Sequence, residues 1–145
     1  MHTRFIELAG EINTHMPEHV VLRVAEALNA EQKAVNGSKI LLLGLAYKPN
    51  VDDDRESPSY VLMEKLEALG AEVCYHDPHV PEIKPTREHP QFAGRKSVEI
   101  ADAYDCVLIA THHDEYKIFD FSGIKCPMVD TRNSITIKPK KYLKA

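Results

Sequence analysis

The spacing of hydrophobic residues changes near residue 38 and divides the chain into two regions. In the first region apolar residues recur every three or four positions, which is typical of amphipathic helices. These positions are Phe5, Ile6, Leu8, Ala9 and Ile12 in a first series and Val20, Val21, Val24, Ala25 and Leu28 in a second. Pro17 suits the first turn of the second helix, because the N–H group that proline lacks would be unpaired there. The pattern therefore predicts two helices before a turn at Asn36-Gly37.

From Lys39 onward, short apolar runs alternate with helical patterns. Residues 40–43 form a continuous apolar run, which is typical of a strand covered on both faces. Ser57 and Pro58 provide a cap and a first-turn proline for a helix that Gly70 ends. The remaining predictions are strands over 72–75, 106–110 and 128–129, a loop over 80–94, a short helix over 98–104 and a helical turn over 114–119. Strands that alternate with helices predict an α/β fold, with a Rossmann-like parallel sheet flanked by helices.

Composition narrows the class of protein without indicating a reaction. The 145 residues are 43% hydrophobic and 28% charged, which is ordinary for a globular protein. A net charge of −4 gives no general attraction to nucleic acid or to anionic membranes. No apolar run approaches the roughly 20 residues of a membrane span and no signal peptide is recognisable, so we expect a cytoplasmic protein. The three cysteines are odd in number and widely spaced, so they predict neither a disulfide framework nor a nucleophile.

Polar clusters follow three of the predicted strands. They are the loop over 47–56, the run Thr111-His112-His113 and the run Asp130-Thr131-Arg132-Asn133. Ligands of parallel sheets bind outside the carboxyl ends of the strands, where these clusters would converge. The sequence therefore predicts a binding site at this rim.

Three cations of the rim clusters suit a phosphate: Lys48, Arg55 and Arg132. An equally weighted alternative is that Arg55 only pairs with the acidic residues beside it. The glycine-rich dinucleotide fingerprint is missing, because bulky Tyr47 and Lys48 stand where a pyrophosphate would approach the backbone. We therefore expect side chains to hold any phosphate bound here.

Metal binding is disfavoured at both clusters that contain suitable residue types. The acidic run at 52–56 has an arginine in its midst, which argues against magnesium. The histidines at 76, 79, 112 and 113 lack zinc-site spacing and have no accompanying CxxC motif. We predict no metal site, and consider His112 and His113 weak candidates for ligand contact.

The run GLAYKPNVDDDRESP closely resembles the signature of the C-terminal, UDP-binding domain of the UDP-glucose/GDP-mannose dehydrogenase family. It is most similar to the branch that oxidises UDP-N-acetylglucosamine or UDP-N-acetylmannosamine at C6. The runs GAEVCYHDPHVP, ATHHDEY and VDTRN resemble later motifs of that domain, and MPEHVVLRVAEALN resembles the end of the family's central helical dimerisation region. The resemblance implies a helical segment over 1–36 and a UDP-sugar-binding domain over 37–145.

The resemblance also implies roles for individual residues. Tyr47, Lys48 and Arg132 match residues that contact the UDP-sugar, and Arg55 matches an arginine that reaches NAD. The catalytic cysteine and the NAD-binding glycines of the family lie in an N-terminal domain, so the chain is expected to be an inactive fragment without a catalytic residue. The implied whole enzyme is a homodimer that oxidises a UDP-N-acetylhexosamine to the uronic acid with NAD, for polysaccharide biosynthesis.

Two other functions compete with this interpretation. A free-standing nucleotide-binding or regulatory module would carry the same rim cations without a catalytic partner. A complete small NAD-dependent enzyme is disfavoured, because the glycine fingerprint is absent.

Overall fold

A computed structural model describes residues 17–54, 57–133 and 135–145. Residues 17–30 are helical and are named α1, whereas the helix predicted through Phe5 lies outside the described residues. The later elements are β1 (Lys39–Leu43), α2 (Pro58–Ala68), β2 (Glu72–His76), a short 3-10 helix (Pro90–Phe92), β3 (Cys106–Ile109), α3 (Asp114–Ile118), β4 (Met128–Asp130) and β5 (Tyr142–Lys144). No helix in these ranges is long and apolar enough to span a membrane.

The five strands form one sheet in the order β2-β1-β3-β4-β5, and every neighbouring pair is parallel. Leu43 at the end of β1 pairs with His76 on one side and Ile109 on the other. Ile109 in turn pairs with Asp130, so four strands end level with one another. This confirms the predicted α/β, Rossmann-like sheet and creates the rim where the polar clusters lie.

The central strands are apolar because both of their faces are covered. Ile40 and Leu42 of β1 belong to a cluster that also contains Val24 of α1 and Leu66 of α2. Leu41 and Leu43 point to the opposite cluster, which contains Tyr116 of α3. The second predicted helix is therefore confirmed, and its apolar positions form the face of α1 that packs on the sheet.

Helix α2 has the ends that its sequence predicts. The Ser57 hydroxyl accepts a hydrogen bond from the Ser59 N–H at 3.2 Å, and Pro58 occupies the first turn. Gly70 follows the helix with φ +94°, a left-handed conformation that glycine adopts without strain. These ends fix where the first turn of α2 meets the rim.

Two predictions of local structure were wrong or incomplete. Residues 98–104 form no helix; instead, the Val98 N–H donates to the Tyr75 carbonyl oxygen at 2.9 Å beside the sheet edge. Val98, Ile100 and Tyr104 pack as partly buried residues against the second cluster, which explains their apolar character without a helix. Strand β5 was not predicted, because it has only three residues and pairs with β4 alone.

Candidate functional site

The rim begins with a sharp turn at Gly44, directly after β1. Gly44 has φ +91°, and a Cβ atom there would lie 2.5 Å from the Thr111 Cβ atom. Glycine is thus needed because the ends of β1 and β3 pack closely at this point. The Ser59 hydroxyl donates to the Gly44 carbonyl oxygen at 2.9 Å, which joins the first turn of α2 to the same point.

The loop over 45–54 follows this turn and presents two of the predicted ligand-binding residues. Tyr47 is 50% exposed, and the Lys48 Nζ atom lies 6.0 Å from the centre of its ring. The Tyr47 N–H donates to the Asp53 carbonyl oxygen at 2.6 Å, which closes the loop on itself. Arg55, predicted to contact NAD, lies outside the described residues.

A pocket of about 490 Å³ opens beside this loop, between α1, the first turn of α2 and the ends of β3 and β4. Its lining residues are Pro17, Val20, Tyr47, Pro58, Ser59, Leu62, Ala110, Thr111, Thr131 and Arg132. The structure therefore brings Tyr47 and Arg132 together in one pocket. Lys48 is adjacent to Tyr47 but is not a lining residue.

Arg132 is anchored by the end of β4. Its main-chain N–H donates to Asp130 Oδ1 at 2.8 Å, and its side-chain Nε donates to the Ala110 carbonyl oxygen at 3.1 Å. The other carboxylate oxygen of Asp130 accepts from the Tyr142 hydroxyl at 2.6 Å. Strand β5, which the sequence did not predict, thus helps to hold the segment that carries Arg132.

The electrostatic character of the pocket favours an anion. Arg132 contributes a guanidinium group, and Lys48 lies nearby as an exposed ammonium group. Pro58 and Ser59 belong to the first turn of α2, where the helix dipole is positive and where no acidic residue is present. Charge and dipole therefore both favour a phosphate group at this position.

His112 is half-buried near the same rim. Its Nδ1 atom is buried and has no hydrogen-bond partner among the residues that the structure describes. Burial first, and then the positive charges of Arg132 and Lys117, lower the pKa of His112 below its ordinary value. The imidazole is therefore neutral at neutral pH and adds no positive charge to the rim.

Asp77, which was not among the predicted site residues, lies beneath the loop. It is 1% exposed, and its Oδ2 atom accepts hydrogen bonds from the amides of Leu45 at 2.7 Å and Ala46 at 2.9 Å. Burial alone would raise the pKa of Asp77, but hydrogen bonds from His113 and from backbone amides outweigh it and lower that pKa. The only sequence feature that could have indicated a role for Asp77 at the rim was its position directly after β2.

The part of the chain that the structure describes contains no group of three or more His, Cys, Asp or Glu residues able to hold a metal ion. Three of the four histidines that were considered as metal ligands have other contacts, namely His76, His79 and His113. The rings of His79 and His113 lie 4.6 Å apart between centres, and the His79 Nε2 atom is 3.2 Å from a Glu115 carboxylate oxygen. His76 Nδ1 is 2.9 Å from the Tyr116 hydroxyl.

Comparison with known proteins shows what the chain as a whole is similar to. The UDP binding domain of the UDP-glucose/GDP-mannose dehydrogenase family matches residues 41–144. The UDP-glucose 6-dehydrogenase of Rhizobium meliloti is 31% identical over 135 residues, which cover 90% of this chain and 30% of that protein. The UDP-N-acetyl-D-mannosamine dehydrogenase of Methanocaldococcus jannaschii is 32% identical over 142 residues, which cover 98% of this chain and 30% of that protein.

Solved structures agree with these sequence matches. The UDP-D-ManNAc dehydrogenase of Pyrococcus horikoshii superposes with a TM-score of 0.76 and 28% identity, over 96% of this chain and 32% of that one. A UDP-glucose dehydrogenase from Pyrobaculum islandicum gives a TM-score of 0.69 at 28% identity, over 96% of this chain and 34% of that one. The chain thus spans about a third of the length of the relatives that it matches.

Proposed function

Because the chain belongs to the UDP-glucose/GDP-mannose dehydrogenase family, we propose that it binds the substrate of an NAD-dependent UDP-N-acetylhexosamine 6-dehydrogenase. The observation that carries this proposal is the pocket at the carboxyl rim of the sheet, where Tyr47, Arg132 and the first turn of α2 meet. This is the position at which parallel α/β sheets bind their ligands.

The properties of the pocket match the parts of a UDP-sugar. A volume of about 490 Å³ lies within the usual range of small-molecule sites. Arg132 and the positive end of α2 suit the diphosphate, with Lys48 as an additional cation beside Tyr47. The half-exposed Tyr47 ring offers a flat apolar surface to the uracil or the sugar, and Val20 and Leu62 provide an apolar wall.

An N-acetylhexosamine is the proposed sugar. The relatives include UDP-N-acetyl-D-mannosamine dehydrogenases from several archaea, at 29–33% identity over at least 95% of this chain. The loop sequence GLAYKPNVDDDRESP also resembles that branch of the family. In the proposed enzyme the product is the corresponding uronic acid, made in the cytoplasm for polysaccharide biosynthesis.

The oxidation itself needs groups that this chain is not proposed to supply. Burial raises the pKa of Cys106, and it raises that of Cys126 to about 11, so neither thiol is activated as a nucleophile. We propose that an N-terminal NAD-binding domain provides the cysteine and most NAD contacts, that Arg55 reaches the NAD, and that the whole enzyme is a homodimer. The role of the residues described here is to hold and orient the UDP-sugar.

The proposal is tested by calorimetry with the purified 145-residue chain. UDP, UDP-N-acetylglucosamine, UDP-N-acetylmannosamine and UDP-glucose are titrated in parallel, with GDP as the control nucleotide. We expect the UDP ligands to bind and GDP to bind at least about tenfold more weakly, a difference of roughly 1.4 kcal/mol. Absence of binding by every UDP ligand, with a folded chain confirmed by NMR, would overturn the proposal.

A further inference from the structure

His113 is fully buried and links two points of the loop over 45–54. Its Nε2 atom lies 2.9 Å from Asp77 Oδ2, and its Nδ1 atom accepts a hydrogen bond from the Asn50 N–H at 2.7 Å. One neutral tautomer satisfies both contacts, with the proton on Nε2 and the lone pair on Nδ1. Asp77 and His113 together form a buried pair beneath the loop.

The pair holds the loop backbone on both sides of Tyr47 and Lys48. At the start of the loop, the Asp77 carboxylate accepts from the amides of Leu45 and Ala46. In the middle of the loop, His113 accepts from the Asn50 N–H, and the φ of Asn50, +63°, is left-handed. The Asn50 side-chain oxygen also accepts from the Asp114 N–H at 2.9 Å, at the start of α3.

Tyr47 and Lys48 lie between these two fixed points and are both exposed. The pair lies below the loop and is itself buried, with side chains that are 0% exposed in Asp77 and in His113. It therefore acts on a ligand only through the backbone that it holds.

We propose that Asp77 and His113 are positioning residues, which hold Tyr47 and Lys48 in the geometry that a UDP-sugar requires. This inference rests on the proposed function of the pocket. A loop that is ordered before the ligand arrives binds more tightly, because the entropy of ordering is lost on folding and not on binding.

A role limited to stability explains the pair less well. A buried pair that includes a carboxylate contributes little net stability compared with apolar residues of similar volume. Its specific advantage is directional: each hydrogen bond fixes one loop amide in one place. The pair therefore favours one conformation of the loop, and a ligand that contacts Tyr47 and Lys48 would bind to that conformation without having to order the loop first.

The test compares wild type with His113→Gln in the 145-residue chain. A glutamine side chain can still donate to Asp77, but it places no acceptor where Nδ1 receives the Asn50 N–H. His89→Gln is the matched control, since that half-buried histidine stacks on Tyr60 and Phe92 away from the pocket lining. UDP affinity is measured by calorimetry, and amide hydrogen exchange is measured by NMR for Asn50 and for β1 and β3.

We expect His113→Gln to weaken UDP binding by about three- to tenfold, as expected for one lost hydrogen bond. Exchange of the Asn50 amide should accelerate while the amides of β1 and β3 keep their protection. The control should match wild type in all of these measurements. In wild type, nitrogen chemical shifts should place the His113 proton on Nε2.

A second variant removes the other contact by which Asn50 is held. Asn50→Gly tolerates the left-handed backbone and keeps the main-chain N–H, but it loses the contact with Asp114. It should weaken UDP binding by about two- to fivefold. If His113→Gln fails to fold, Asp77→Asn takes its place, because a neutral amide oxygen accepts more weakly than a carboxylate from the amides of Leu45 and Ala46 and should likewise weaken UDP binding.

The outcomes separate this inference from the proposed function. Wild-type UDP affinity in His113→Gln, or in Asp77→Asn if the former does not fold, would overturn the positioning role whatever the exchange rate at residue 50, and would leave the proposed function intact. A folded wild-type chain that binds no UDP would overturn the proposed function, and the positioning role with it. Weaker binding together with intact strand protection supports the inference.

Discussion

Replacing Lys48 with alanine is the most direct test of the rim as a phosphate site. Lys48 is exposed, and its Nζ atom lies 6.0 Å from the centre of the Tyr47 ring. A cation–π contact at an exposed site contributes about 0.5–1 kcal/mol, and a distance of 6.0 Å lies at the outer limit for such a contact. The unfolding free energy of the unliganded chain should therefore hardly change.

Ligand binding should respond much more strongly. A charge-assisted hydrogen bond from Lys48 to a diphosphate contributes about 1.5–3 kcal/mol, since it involves two charged groups. Its loss corresponds to a roughly ten- to a hundredfold weaker affinity for UDP. In an active dehydrogenase that contains this domain, the same change should raise the KM for the UDP-sugar.

Calorimetry with UDP and thermal unfolding without ligand measure these two effects separately. Lys138→Ala is the matched control, because its Nζ atom lies 4.7 Å from the centre of another tyrosine ring, that of Tyr142. The control should leave UDP affinity unchanged. An unchanged UDP affinity in Lys48→Ala would refute the phosphate role, and a large loss of stability without ligand would make Lys48 a structural residue.

Three further outcomes follow from the structure and the proposed function. The isolated chain should produce no NADH above background with UDP-N-acetylhexosamines and should bind NAD weakly or not at all; sustained turnover, or micromolar NAD affinity in calorimetry, would contradict this. Gly44→Ala should lower the unfolding free energy by at least about 1–3 kcal/mol in urea titrations, because its Cβ atom would lie 2.5 Å from Thr111 atoms; wild-type stability would contradict the tight packing. Because folding lowers the pKa of Asp77 from its ordinary value of 3.8, the ionised carboxylate stabilises the folded chain at pH values above 3.8. That stabilisation is lost as the pH falls from 3.8 through the lowered pKa of the folded chain. Asp77→Asn should therefore show a flatter loss of stability between about pH 5 and pH 2 than wild type, and parallel curves would count against the assignment.

Local sequence predicted most of the sheet and its rim. The buried run of β1 and the capped ends of α2 are determined by neighbouring residues, so pattern and turn chemistry were sufficient. The carboxyl ends of parallel strands share one edge, so Tyr47 and Arg132 were predicted at one rim, where both line the pocket.

Features that depend on distant contacts were not predictable in this way. Val98 and Ile100 are apolar because they pack beside β2, and their spacing alone did not distinguish that packing from a helix. The three residues of β5 gain strand structure only by pairing with β4. The link between Asp77 and His113 joins positions 36 residues apart, and no local pattern contains it.

The left-handed conformations of Gly44 and Asn50 suggest how this site can be re-engineered. Both residues have positive φ, +91° and +63°, and both are fixed by contacts with the body of the domain. The tripeptide Tyr47-Lys48-Pro49 between them makes fewer such contacts and faces solvent over much of its surface. If the rim binds a nucleotide sugar as proposed, a library that keeps Gly44 and Asn50 constant and randomises only these three positions should vary the selectivity for that ligand without changing the scaffold.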